Sequence, residues 1–492
     1  LTWLIDHFQT IISIVLVFGL LIFIHELGHF LLAKRAGILA REFAIGFGPK
    51  IFSYKKNETR YTLRLFPLGG FVRMAGEDPE VIEIKPGQRL RILTNANGEI
   101  THFLMDEESR PHQGEEVVVT EIDLLHDLKM SAMMNEEEKH YKIDPKAEIV
   151  TKGIETQIAP WNRQFGSKTV GQRFWTIAAG PLANFLLAIL LFMIYASMNG
   201  VSSQAPIIGE VVEGYPAAEM GLKTGDRFLE IEGQKIENWD QVQKLINEHP
   251  GQPLQMIFER GNEQFQATIT PKASFYIASL SGGETGLMQG EEILEINQQP
   301  ITSLEQAENL LKENEGRSVS ITVPRLKDGE RTNQTFSIDL NQVQLSIGSV
   351  GKIGMYQARD YSLGAILLSG PKETYNWIKL TFQGIGQLFT TSNPLNQVGG
   401  PVAIFKLTGD FADRGISSLI FWAAILSINL GIFNLLPIPA LDGGRLVFIA
   451  LEAVRGKPID PAKESIVHFI GFAFLMLLII IVTWNDIQKL FL

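Results

Sequence analysis

The run His25-Glu26-Leu27-Gly28-His29 sets two imidazoles four residues apart, with a carboxylate directly after the first. On a helix turning ~100° per residue the two histidines project about 40° apart, and Glu26 about 60° from His29. Two imidazoles one turn apart chelate a single Zn2+, and a carboxylate so placed reaches a water on the metal. This is the equipment of metal-assisted hydrolysis. The cluster lies inside the apolar stretch 8–33, where ionisable groups cost several kcal/mol each unless a partner compensates them. The plainer alternative is a pair of histidines that only hydrogen-bond to neighbouring helices.

Two histidines leave a zinc ion short of ligands, so a third must come from elsewhere. The chain has no Cys, which removes thiolates, zinc fingers and iron–sulfur clusters. Of the other seven histidines only His468 falls in an apolar segment, where it reads as a tether near the membrane surface, with a ligand role the lesser reading. Asp442 is the better candidate, in the run NLLPIPALDGG at 434–444. Pro437 and Pro439 stop a helix there, freeing backbone groups and turning the carboxylate to the protein interior.

The elements that must position these groups are four apolar segments long enough to cross a bilayer: 8–33, 175–198, 416–442 (ending on the Leu-Asp-Gly motif) and 465–484. The first carries embedded charges and lacks a small-residue cleavage site, so it reads as a retained span and not a removed signal peptide. Lys34, Arg35 and Arg41 follow the first span, Arg163, Lys168 and Arg173 precede the second, and Arg445, Arg455, Lys457 and Lys463 separate the third and fourth. Basic loops stay cytoplasmic. Both termini are therefore expected outside. His25, 17 residues into its span or about 26 Å along it, then lies near the cytoplasmic side, where Asp442 also falls.

Composition sharpens the layout. The chain is 45% apolar and 20% charged with a mean hydropathy of +0.10, an average over apolar blocks and polar compartments. The net charge of −11 argues against nucleic-acid binding. Residues 200–360 hold 13 Lys and Arg against 23 Asp and Glu, so nearly all of that charge belongs to the segment between spans two and three.

That segment repeats itself. Residues 221–247 and 286–312 share ten identities in 27 positions at an offset of 65, and each copy reads as turn, strand, turn and helix. Two small αβ modules, 205–272 and 273–345, are expected. The first, with YPAAEMGLKTGDRFLEIEG at 215–233, resembles a PDZ domain of the bacterial membrane-protease type, whose groove residues would include Ala217, Gly221 and Leu222. The second has LSGGETGL where Pro-Ala-Ala would stand, and reads as degenerate. Such modules bind an extended peptide by strand addition or serve as spacers and size filters.

Taken together, HELGH in the first span, AGPLANF at 179–185, NLLPIPALDGG at 434–444 and PLGGFVRMAGED at 67–78 resemble the site-2 protease family of RasP/RseP type. The resemblance runs over nearly the whole chain and is strongest to Gram-positive members. It implies a polytopic α-helical membrane protein with four transmembrane helices, a membrane-associated β-sheet and extracytoplasmic PDZ-like modules. It implies one Zn2+ per chain on His25, His29 and Asp442, Glu26 as general base, and Asn434 near the substrate carbonyl. Its substrates would be single-span membrane proteins or signal-peptide remnants within the lipid bilayer of a bacterial cell membrane, already cut by an upstream site-1 protease. Gram-positive members usually carry one PDZ module, and the surplus here is about one 65-residue repeat.

Three further segments need a reading. Residues 60–74, within a β region at 42–78, read as a hairpin with Pro-Leu-Gly-Gly at its turn. In the family such a sheet offers an edge to unwound substrate, here at Leu68, Gly69, Gly70 and Phe71; a hairpin that only caps the helices is the alternative. Residues 79–170 read as a solvated cytoplasmic insertion, and 361–415 as interfacial amphipathic helices. Two rival functions remain at this point, a silent scaffold with a structural metal and a metal transporter. An intact Glu26 argues against the first, and spans without a polar pathway argue against the second.

Overall fold

The computed structural model describes residues 8–77, 84–106, 113–135, 137–282, 285–327, 330–389 and 398–491, with only the backbone at 67–68, 326–327, 330–331, 461–462 and 489–491. The start of the insertion at 79–83 lies outside them. Two compact units emerge, Leu1–Met198 with Ile366–Leu492, and Asn199–Ala365.

In the first unit the helices are α1 (Phe8–Arg35), α2 (Val170–Asn199), α3 (Leu363–Leu388), α4 (Pro401–Asp413), α5 (Ile416–Leu435), α6 (Asp442–Arg455) and α7 (Pro461–Phe491). Among the described residues four are long and apolar enough to cross a membrane: α1, α2, α5 and Lys463–Gln488 of α7. Val17 and Leu21 of α1, Leu187 and Phe192 of α2, and Ala424 and Ile428 of α5 bury one another in a common core. The backbones approach closely where side chains vanish, as at Gly28, whose missing Cβ is replaced by the Ala179 carbonyl.

The third span stops at Leu435. Leu436 is extended (φ −62°, ψ 143°) because it precedes Pro437, and Asp442 opens α6. The segment expected as one element over 416–442 is therefore a span, a turn and the first residue of another helix. Within 361–415, α3 is one helix through Pro371. It rests Gly370 on Ile189 and Met193 of α2 and donates from Thr381 Oγ1 to Asn429 of α5 at 3.0 Å. The amide N–H groups of Gly400 and Ala403, at the start of α4, donate to the buried Asp486 carboxylate of α7, each at 3.0 Å. The carboxylate meets the positive end of that helix.

After α1 comes a sheet of two bent strands, β1 (Ala40–Lys56) and β2 (Thr59–Met74). Ala40–Ile45 pair with Gly70–Met74 on one side and, at Glu42–Ile45, with Arg60–Leu63 on the other; Lys50–Lys56 then pair with Thr59–Arg64. The two halves of 60–74 thus do not form the hairpin expected from the Pro-Leu-Gly-Gly turn. The first stretch of β1 lies between them, and Gly70–Met74 becomes an edge.

The insertion is a sheet in the order Ile100–Leu104, Arg89–Thr94, Glu115–Asp123, Lys129–Met134, Glu137–Thr151, Ile154–Gln157, closed by pairing of Ile100–Leu104 with Glu137–Thr151. Phe103, Ile92 and Met130 fill it. Its exit is pinned to the β1–β2 turn by Arg163, whose Nη1 and Nη2 donate to the two Glu58 carboxylate oxygens at 3.0 and 2.8 Å. Those bonds hold the Glu58 carboxyl at about 2, below its ordinary 4.5. A depressed carboxylate gives stability that is present above the ordinary value and lost as pH falls through the folded one. Glu58→Gln is expected to cost about 1 kcal/mol or less near neutrality, for a partly exposed pair. Melting of both proteins in detergent should show the difference shrinking from pH 7 to pH 3.

The second unit holds the repeat. The helices Trp239–Glu248 and Leu304–Glu313 are capped by Asn238 and Ser303, whose side chains accept from Gln241 N and Gln306 N. Arg260 pairs with Asp226 and donates to the Gly221 carbonyl; Arg325 pairs with Glu291 and donates to the Gly286 carbonyl. Both sets obey the 65-residue offset. The modules are not in tandem, however. Ile208–Val211 pair with Met355–Gln357, and Ile353 is buried in the first module's core. The first module is not closed by 205–272. The second is inserted into it, entering and leaving on the paired strands Lys272–Gly282 and Val343–Lys352, beyond the boundary at 345.

Candidate active site

The HELGH helix does what its spacing requires. His25 and His29, both buried, bring their Nε2 atoms to 3.2 Å of each other. Asp442 Oδ2 lies 3.2 Å from the first and 3.3 Å from the second. A tetrahedral ion with bonds of about 2.0–2.1 Å spaces its ligand atoms about 3.3 Å apart. The donor triangle therefore has the edge a zinc ion needs. Asp442 Oδ2 is buried without a hydrogen-bond partner, a costly state for a carboxylate oxygen that a cation relieves. Among the described residues these three side chains form the one group able to hold a metal ion.

Each ligand is aimed by the span behind it. His29 Nδ1 donates to the Thr176 carbonyl of α2 at 2.9 Å, in the turn that Pro181 disrupts. That bond fixes the tautomer with Nε2 free for metal. His25 Nδ1 lies 3.1 Å from the Asn184 side-chain amide, fully buried on α2. A histidine ligating through Nε2 carries its proton on Nδ1, so the amide must present Oδ1, which the assigned orientation leaves unpartnered. Turned over, the amide oxygen accepts from His25 Nδ1–H. Gly180 supplies the space, since a Cβ there would overlap the His29 ring.

Asp442 is aimed by its turn. Ala440 adopts φ 79°, and its N–H donates to His468 Nδ1 of α7 at 2.8 Å. Added Cβ atoms at Gly443 and Gly444 would overlap the carbonyls of Leu436 and Ile438. The Asp-Gly-Gly run is thus the only small-residue solution for folding the chain back under the end of α5.

A cavity of about 380 Å3 opens on the triangle, lined by Glu26, by the five consecutive residues Gly70–Met74, and by Glu77 and Arg445, which pair with each other. Successive strand side chains point to opposite faces, so five in a row line one cavity only when the strand edge faces it. Gly70 leaves no room for a Cβ against Glu26 and Ile22. Glu26 is therefore at the cavity wall, one residue from a ligand.

Other expected residues stand apart. Asn434 is half-buried on the last turn of α5 and is not among those lining the cavity. Gly69 and Leu68 lie in the bend before the edge, and of the four expected there Gly70 and Phe71 reach the cavity wall. Ala217 and Leu222 are buried in the first module's core, and Gly221 sits in a turn at φ 73°. A cavity of that module, about 310 Å3, lies between Val242 and Ile246 of its helix and residues 351–356. Sequence reading assigned no site role to Asn184, Gly180, Glu77 or Arg445. An Asn within an otherwise apolar span was the available signal for the first.

Residues 13–478 match the model of peptidase family M50. Zinc metalloprotease RasP of Geobacillus kaustophilus is 43% identical over 490 residues, 99% of this chain and 100% of its own. Regulator of sigma-W protease RasP of Bacillus subtilis is 39% identical, covering 98% and 99%, and probable protease eep of Enterococcus faecalis 37%, covering 98% and 100%. Likeness along the whole length and a buried His-His-Asp triangle meet in one conclusion: the chain belongs to peptidase family M50, the site-2 proteases, and is a multi-pass membrane zinc metalloprotease.

Proposed function

We propose that this protease cuts single-span membrane proteins and signal-peptide remnants within the bilayer, after another protease has removed their outer part. The observation that carries the reading is the free edge Gly70–Met74 beside the donor triangle. A peptide bond inside a helix is closed to attack, so the substrate must unwind. An extended segment added to this edge gains backbone hydrogen bonds whatever its side chains, and its carbonyls then run along the cavity.

His25, His29 and Asp442 would hold the zinc, which supplies Lewis acidity to the scissile carbonyl and to a water. The Glu26 carboxylate takes the proton from the attacking water and returns it to the leaving nitrogen, so that water is added across the C–N bond. Thr176 and Asn184 keep the imidazoles in the ligating tautomer. Asn434, on the last turn of α5, is the candidate for holding the substrate carbonyl. The basic residues at 34–41, 163–173 and 445–463 support a topology with the catalytic groups near the cytoplasmic side and both termini outside. The name of the Bacillus subtilis relative, a regulator of sigma-W, makes anti-sigma factors the first substrates to try.

The test is a membrane-anchored peptide offered to the purified protein in bilayers, with and without a folded outer domain. Cleavage of the truncated form, lost with a zinc chelator and slower by at least about tenfold with the outer domain attached, is expected. Equal cleavage of both forms would remove the screening step, and cleavage that survives chelation would remove the zinc mechanism.

A further inference from the structure

The β1–β2 sheet has two unlike faces. Register places Phe52 opposite Leu63 and Tyr54 opposite Tyr61 on one face, and Ser53 opposite Thr62 and Lys55 opposite Arg60 on the other. The apolar face packs Phe43 and Tyr61 on Phe30 of α1, and Phe43 also meets Phe23, two turns deeper in the same span. Beyond that contact Phe52 is 63% exposed and Leu65 51%. Such a surface suits lipid better than water.

The other face borders a cavity of about 210 Å3 against Ile154–Gln157 of the insertion. Six cations line it, Arg41, Lys50, Lys55, Arg60, Arg64 and Arg73, against three carboxylates, Glu42, Glu58 and Glu155. The excess of three cations survives when partners outside the lining are counted. Both oxygens of Glu58 serve Arg163, which is not a lining residue, and Glu42 is occupied by Arg64 at 3.2 Å. Lys55 turns to Glu148 at 2.5 Å, also outside the lining, and meets the lining Glu155 at 4.0 Å. No carboxylate among the described residues lies within ion-pair distance of Lys50, Arg60 or Arg73. Arg64 Nε is buried there without an acceptor. Like charges gathered in a partly desolvated cavity repel unless an anion joins them.

We propose that this cavity binds the phosphate of an anionic phospholipid headgroup, with the acyl chains along the exposed Phe52 and Leu65 face and sheet edge. The inference rests on the reading that the sheet lies in the cytoplasmic leaflet. It goes beyond that reading by giving the sheet a bound lipid, which sets how deep the substrate-receiving edge sits. Free phosphate satisfies the charges alone; the apolar face, reached around the sheet edge, selects the lipid. Each basic side chain near an anionic leaflet gains about 1 kcal/mol.

The test uses the full-length, zinc-loaded protein in detergent, with retained lipid read by native mass spectrometry. Phosphatidylglycerol is expected to stay bound where phosphatidylcholine does not, and millimolar inorganic phosphate or an acidic peptide is expected not to displace it. Lys50→Gln with Arg60→Gln, both without a carboxylate partner and outside the catalytic cavity, should weaken retention by about tenfold or more at unchanged zinc content. Equal retention of the two lipids, equal retention by the double variant, or displacement by phosphate or peptide each overturns the proposal. A separate arm checks the leaflet reading: Phe52→Trp in bilayers of brominated phosphatidylcholine should add fluorescence that the bromines quench. Quenching without phosphatidylglycerol selectivity rejects the site alone, whereas unquenched fluorescence rejects the sheet's immersion.

Discussion

Glu26→Gln is expected to lower the cleavage rate by about 10²–10⁴-fold, the usual worth of a positioned general base, while the protein keeps its zinc. The amide has nearly the volume of the carboxylate, so its place against Gly70 and Ile22 is undisturbed. It cannot take a proton from water at neutral pH. Asp442→Asn should fail differently. Its Oδ2 is one corner of the 3.2–3.3 Å triangle, and an amide is a far poorer ligand than a carboxylate. Zinc measured by atomic absorption after gel filtration should drop well below one per chain, with activity lost in proportion and partly restored by excess zinc. Glu26→Gln should show full zinc and no restoration. A Glu26→Gln protein that cleaves at the wild-type rate would falsify the general-base assignment. An Asp442→Asn protein with full zinc would remove that ligand.

These two residues also mark what the sequence made legible. HELGH could be read because its partners are four residues apart on one helix, so a local period fixes their geometry. Asp442 is 413 residues from His29, yet it was found because Pro437 and Pro439 break an apolar span beside a lone carboxylate. Its setting was misjudged by one element. Helix periodicity cannot show that the chain, after a turn tied to His468, begins a new helix at Asp442 itself.

Pairing over long distances left no such trace. The repeat announced two modules, but the ladder between Ile208–Val211 and Met355–Gln357 spans the whole inserted copy, and neither strand carries a mark of its partner. The cavity beside the first module's helix could not be foreseen for that reason, because one wall of it follows the insertion. In the sheet, Pro-Leu-Gly-Gly looked like a turn between partners. Alternation in 60–74 is equally satisfied when Ala40–Ile45 pairs on both sides, and only that contact decides between them. The second layer of the metal centre was hidden in the same way, as Asn184 and Thr176 act on histidines more than 140 residues earlier.

Gly180 offers the sharpest check on that second layer, because its role is only to be absent. A Cβ at 180 would overlap the His29 imidazole, held between the Thr176 carbonyl and Asp442. In Gly180→Ala the helices must part or the ring must swing. The first route costs about 1–3 kcal/mol of overpacking. The second gives up the Thr176 bond and moves Nε2 off the triangle, and loss of such an outer-shell bond typically costs 10–100-fold in metal affinity or activity. Zinc affinity by competition with a chromophoric chelator is expected to fall by about that factor. Gly19→Ala, on the same span as the ligands but with nothing within 4 Å of its added Cβ, should bind zinc as the wild type does. Asn184→Leu separates packing from polarity: it roughly keeps the volume but removes the acceptor for His25 Nδ1–H, so zinc affinity should fall while helix packing stays intact. Wild-type affinity in both Gly180→Ala and Asn184→Leu would mean that α1 alone orients the two histidines, and that α2 contributes nothing beyond its bulk.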